Sequence, residues 1–176
     1  AGIFLGSDAF NTRLVAQNTY AGIHATHLRQ LVPQLDLTLA ARFNHARIEL
    51  DDRRGTALDG RHRFDRLNPS VGITWRWSDS ASTYANYGET NRVPTAAELS
   101  CADPAQPCRF PHAFVADPPL EQVVARTLEA GWRGHSNGDA ATSMRWSVAP
   151  FVTINEDDIV FVSSGPVTGS GYFENI

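Results

Sequence analysis

The 176-residue sequence contains no lysine, so all fifteen basic side chains are arginine. It has only two cysteines, Cys101 and Cys108, and both fall in one proline-rich stretch, ETNRVPTAAELSCADPAQPCRF (89–110). No window approaches the roughly eighteen consecutive apolar residues of a membrane-crossing helix, which excludes helical spans. The opening AGIFLGSDAFNTRL has no basic leading segment and does not read as a signal peptide. A net charge of −4 offers no basic surplus for nucleic acid. No serine sits in a nucleophile elbow, and there is no phosphate loop and no HExxH, so nothing points to an enzyme. With 42% hydrophobic and 19% charged residues, the chain is too apolar for a disordered tail.

What is present is alternation with period 2. In LDLTLAARF, Leu35, Leu37, Leu39, Ala41 and Phe43 alternate with Asp36, Thr38, Ala40 and Arg42. Val71, Ile73, Trp75 and Trp77 alternate with Gly72, Thr74 and Arg76; Leu128, Ala130 and Trp132 alternate with Glu129, Gly131 and Arg133. Met144, Trp146, Val148, Val152 and Ile154 continue the pattern against Arg145, Ser147 and Thr153. Each run has one apolar and one polar face, as half-buried strands do. Strands are expected at about 14–31, 36–51, 63–78, 82–92, 121–134 and 142–155, with a seventh beginning near 171.

These strands are longer than the five or six residues usual in globular sheets. Their connections alternate between short turns (VPQL, DSAS, HSNGDA) and long loops (52–62, 93–120, 156–170). Short turns at one end and long loops at the other suit an outer-membrane barrel, with the long loops outside. The fold class expected is therefore all-β: an antiparallel meander of six to seven long strands, part of a transmembrane β-barrel. Trp75, Trp77, Trp132 and Trp146 all fall close to short turns, as a membrane-interface aromatic belt would. A soluble sandwich would instead bury them as core. Arg42, Arg76, Glu129, Arg133 and Arg145 occupy polar faces, which a water-holding or plugged barrel accommodates and a sandwich core does not.

Several segments resemble TonB-dependent outer-membrane receptors: LNPSVGITWRWS, then TYANYGETNRVPTAAELSC, DPPLEQVVARTLEAGWRG, FVTINEDDIVFVSSG and GYFENI. Their order and spacing run through roughly 63–176. The resemblance implies that residues 1–176 are part of a barrel of about 22 strands, without its N-terminal plug and remaining strands. It implies active uptake of a scarce nutrient such as an iron–siderophore complex. Partners would be outer-membrane lipid, a small-molecule metal chelate as ligand, and the inner-membrane TonB complex acting through the plug; no cofactor and no nucleic acid are expected. A general porin and a secreted β-sandwich adhesin or lectin are the alternatives.

In that setting Cys101 and Cys108 lie on the exterior side, where disulfides are permitted; a Cys101–Cys108 bridge is expected, with two free thiols or a metal pair as the alternatives. A bridge would either shape a ligand-gathering loop or stiffen it against proteolysis. Thr95 and Glu98 have capping-box spacing, so a helical turn is expected before the cysteines. The loop DDRRGTALDGRHRFDR gathers Arg53, Arg54, Arg61, His62, Arg63 and Arg66 as candidate ligand-binding residues, since guanidinium forks pair with anions. Lipopolysaccharide phosphates and simple solvation by Asp51, Asp52, Asp59 and Asp65 are competing readings. His24 and His27 fall on opposite faces of a strand and do not make a metal pair.

Overall fold

The structure, a computed structural model, describes residues 13–56, 58–104, 108–109, 120–136, 143–164 and 170–176. The N-terminal segment, most of the HSNGDA turn and part of the 93–120 loop expected from the sequence lie outside the described residues. The elements are β1 (Leu14–Val32), β2 (Leu35–Asp52), β3 (Gly60–Ser78), β4 (Ala81–Arg92), α1 (Ala96–Leu99), β5 (Cys108–Arg109), β6 (Val123–Ser136), β7 (Met144–Val148), β8 (Phe151–Glu156), β9 (Ile159–Ser163) and β10 (Ser170–Asn175). An antiparallel wall runs β1-β2-β3-β4-β6, with β7 and β8 both paired to β6. β5, β10 and β9 form a separate small sheet.

The expected strand over 142–155 is one ladder interrupted at Ala149 and Pro150. Trp132 faces Val148 and Glu129 faces Phe151, so β7 and β8 hold the same register on β6. Pro150 has no N–H for the ladder, though its carbonyl still accepts from Ala130 N at 3.2 Å. The seventh expected strand differs more. β10 leaves the wall and pairs with β9 and the cysteine-bearing β5.

Register carries the two-faced pattern across the whole wall. Leu35, Trp75, Thr83, Trp132 and Val148 oppose one another in a single row. Leu39, Val71, Tyr87, Leu128 and Val152 form another row on the same face. Arg76, Ser82, Arg133 and Ser147 line up on the opposite face. Leu39, Phe43, Leu67, Ile73, Leu128, Val152 and Ile154 are all exposed large apolar side chains on the first face. Among the described residues, no second sheet covers them. An apolar outer face of this kind is the one a barrel turns toward lipid.

The buried core lies on the other face, at the long-loop end. Ile48, Leu50, Leu99, Ala102, Leu120, Val123 and Ile159 pack together, with Leu14, Phe64, Val93, Ala96 and Phe173 against them. The segment from Val93 to Ala102 and the β9–β10 hairpin therefore fold onto the polar, inward side of the wall, where strands β2 and β3 turn apolar inside. Their own apolar side chains have nowhere else to escape water.

Candidate functional site

The inward face begins, at the short-turn end, with a clamp. Arg76 pairs with Asp36 through both guanidinium amino groups and also donates to Pro33 O at 2.8 Å, tying the β1–β2 turn to β3. Beside it, Arg133 donates to Ser82 Oγ at 3.1 Å and lies 5.5 Å from the centre of the Tyr84 ring. That ring covers Gly131, where any Cβ would meet it at 2.7 Å.

Farther along, the β3–β4 ladder stops at Ser70–Gly88. The next β3 residue toward the loop end is Pro69, which has no N–H to donate. Side chains bridge the strands beyond that point. Asn91 Oδ1 accepts from Asn44 Nδ2 at 2.9 Å and from Asn68 Nδ2 at 2.7 Å, while Asn91 Nδ2 donates to Gln122 Oε1 at 2.9 Å. Arg42 Nε donates to Asn44 Oδ1 at 2.7 Å, extending the chain of amides. Arg66 Nη2 reaches through the gap to Glu89 at 3.0 Å, and Glu89 also accepts at 2.8 Å from Tyr87 Oη on the outward face. Two buried atoms in this gap, Asn68 Oδ1 and Arg66 Nε, have no partner among the described residues. Tyr20, Gly22, Arg42, Asn44, Phe64 and Asn91 line a recess here. These groups donate and accept hydrogen bonds. No nucleophile–base pair stands among them, and among the described residues no three His, Cys, Asp or Glu side chains gather as metal ligands.

Above the recess sits the loop cap. Thr95 and Glu98 close a capping box: Thr95 N donates to Glu98 Oε2 at 2.6 Å, and Glu98 N to Thr95 Oγ1 at 3.3 Å. Arg92 donates to both Glu98 carboxylate oxygens, at 3.2 and 2.9 Å. Partial burial pushes the Glu98 pKa up, but the Arg92 guanidinium and the Thr95 contacts outweigh it and hold the carboxyl below its ordinary 4.5. Cys101 and Cys108 are disulfide-bonded, with Cα atoms 5.7 Å apart, and both are buried. The bridge links the end of α1 to β5, and Phe173 N donates to Cys101 O at 2.6 Å. It is thus a staple between the loop and the small sheet rather than a clip on an exposed excursion.

The six candidate ligand residues do not form one cluster. The expected 52–62 loop is only the turn between Asp52 and Gly60, because β2 and β3 pair out to Leu50–Gly60. Arg53 and Arg54 remain in that turn, Arg53 paired with Asp51 at 3.0 Å. Arg61 and Arg63 lie on the outward face of β3, and His62 and Arg66 alternate with them on the inward side. The four tryptophans all occupy the outward face at the short-turn end, with Trp75 43%, Trp77 68%, Trp132 48% and Trp146 43% exposed. The Asn44–Asn91–Asn68–Gln122 chain was not foreseen; nothing in the sequence spacing of these amides announces it.

A two-faced antiparallel wall with an apolar outer side, an aromatic rim and a loop cap turned inward defines a piece of an outer-membrane β-barrel. The sequence matches the family model "TonB dependent receptor-like, beta-barrel" over residues 3–176, and the chain belongs to that family, which places it in the Gram-negative outer membrane. Among solved structures it is similar to the alcaligin outer-membrane receptor FauA from Bordetella pertussis (TM-score 0.62, 15% identity, 92% of this chain and 25% of that one). It is also similar to the copper transporter OprC (TM-score 0.62, 21% identity, 93% and 24%). A third is the FrpB iron transporter from Neisseria meningitidis, F3-3 variant (TM-score 0.59, 16% identity, 95% and 22%). At these identities the likeness is one of fold, and the chain spans about a quarter of the length of each. No curated protein matches the sequence.

Proposed function

We propose that the protein is an active-transport receptor for a scarce nutrient, a metal chelate such as an iron–siderophore complex. This chain supplies part of the wall and the exterior loops. The observation carrying the reading is the loop cap: the Val93–Ala102 segment and the β9–β10 hairpin are packed inward and pinned by Cys101–Cys108. A receptor that captures a ligand and then admits it by moving a plug gains a shaped surface. FauA, FrpB and OprC, an alcaligin receptor, an iron transporter and a copper transporter, support a metal-containing ligand. Energy would come from the inner-membrane TonB complex acting on the plug.

The test is uptake by cells carrying the full-length receptor, with and without the energising complex. Labelled iron–siderophore or copper should accumulate at nanomolar concentration only in energised cells. Passive flux of small solutes, proportional to concentration and indifferent to energisation, would establish the porin alternative instead.

A further inference from the structure

On the outward face of β2 and β3, apolar character ends within one row. Leu35–Trp75, Leu37–Ile73, Leu39–Val71, Ala41–Pro69 and Phe43–Leu67 oppose one another across β2 and β3. The next three outward pairs are His45–Asp65, Arg47–Arg63 and Glu49–Arg61. Arg47 therefore stands directly opposite a like charge, an arrangement that weakens an antiparallel pair unless something neutralises it. On the β1 side its neighbour is the neutral Thr19, flanked by Gln17 and Ala21. On the β4 side the ladder has already ended.

The chain's own anions only partly answer this. Glu49 pairs with Arg47 and stands 3.9 Å from Arg61; Asp65 pairs with Arg63 at 2.7 Å and with His45 at 2.6 Å. Three guanidiniums thus face two carboxylates, and the side chains of Arg47, Arg63 and Arg61 are 52%, 71% and 81% exposed. We infer that Arg47, Arg63 and Arg61 form an outward-facing site for a phosphate-bearing lipid headgroup of the outer leaflet. A phosphate has enough oxygens to bridge two opposed forks, and guanidinium is the group suited to bidentate phosphate contact. Height selects a lipid over a free anion. Acyl chains lying along Leu39, Val71, Phe43 and Leu67 end where this row begins, so the headgroup is delivered to the arginines.

The inference rests on the outer-membrane placement and is independent of which nutrient is carried. The full-length receptor would be placed in nanodiscs of uncharged lipid doped with diphosphorylated lipid A or its dephosphorylated form, and retained glycolipid counted by native mass spectrometry. Wild type should retain the phosphorylated form. Arg47→Gln/Arg63→Gln should reduce retention about tenfold, with Arg61→Gln alone producing a smaller loss. Arg29→Gln, on the same face but opposite Leu37 near the short-turn end, should leave retention unchanged, and millimolar inorganic phosphate should not displace the lipid.

Unchanged retention in the double variant would overturn the site, as would equal retention of the dephosphorylated lipid or equal loss in Arg29→Gln. Displacement by inorganic phosphate would overturn the lipid assignment. A strand content by circular dichroism equal to wild type certifies each variant as folded, and Arg61→Gln keeps the test open if the double variant fails that check. Transport is not the readout, so a negative result here leaves the receptor proposal standing.

Discussion

Glu98 shows how one side chain fastens the loop cap to the wall. It completes the capping box and accepts from Arg92 Nη1, on the last residue of β4, with both carboxylate oxygens. Its folded pKa lies below 4.5, so its contribution is fully present above that value and is lost as pH falls further, through the depressed pKa. Protection factors at Leu99 and Ser100, corrected for the intrinsic pH dependence of exchange, should therefore fall on acidification below about pH 4.5, and Glu98→Gln should flatten that dependence. A pH profile identical in the variant would remove Glu98 from the cap's stability. Leu99, fully buried in the core, offers a second residue-scale test. Leu99→Ala should destabilise the cap by roughly 2–5 kcal/mol through lost transfer energy and a residual cavity, read by exchange in residues 93–104. Gly171 allows no side chain at all, because a Cβ there would lie 2.3 Å from Val162 O.

At the scale of elements, two devices replace ordinary strand pairing. The first is the amide chain across the β3–β4 gap, with Asn91 as its hub. Asn91→Leu leaves the amides of Asn44, Asn68 and Gln122 without this partner, at a cost of about 1–3 kcal/mol for a buried polar group left unsatisfied. Exchange should rise in 60–69 and 89–92 while β1 and β2 stay protected; uniform loosening of the wall would contradict a local role. The second device is the disulfide. Closing so short a loop removes entropy from the open chain worth about 2–3 kcal/mol. Cys101→Ser/Cys108→Ser should expose β5, β10 and α1 to exchange, with β1 to β4 unaffected.

At the scale of the molecule, the outward face sets how the wall sits in a bilayer. From Trp77 to Leu67 is about 34 Å along β3 at ~3.4 Å per residue. With a strand tilt of about 45°, that covers roughly the 25 Å apolar band of an outer-membrane barrel. The four tryptophans then share one rim, the one at the short turns. In the full-length receptor, Trp75, Trp77, Trp132 and Trp146 should be quenched by lipids brominated close to the headgroup more strongly than by lipids brominated near the bilayer centre. Stronger quenching from the centre would misplace the rim.

The period-2 alternation of Leu35–Phe43, Val71–Trp77 and Leu128–Trp132 made the wall, its two faces and the tryptophan rim legible from the sequence alone. Alternation is a local property, and a pleated strand converts it directly into faces. The capping box at Thr95–Glu98 was legible for the same reason, its four residues being contiguous. Only the tertiary structure decided that Arg61 and Arg63 part company with His62 and Arg66. It alone showed that β10 leaves the wall for β5, and that Asn91 gathers amides from β2, β3 and the segment before β6. Those outcomes depend on how far a ladder runs before Pro69 stops it, and on which apolar side chains find each other across long sequence distances. Period and composition carry neither quantity; register and packing do.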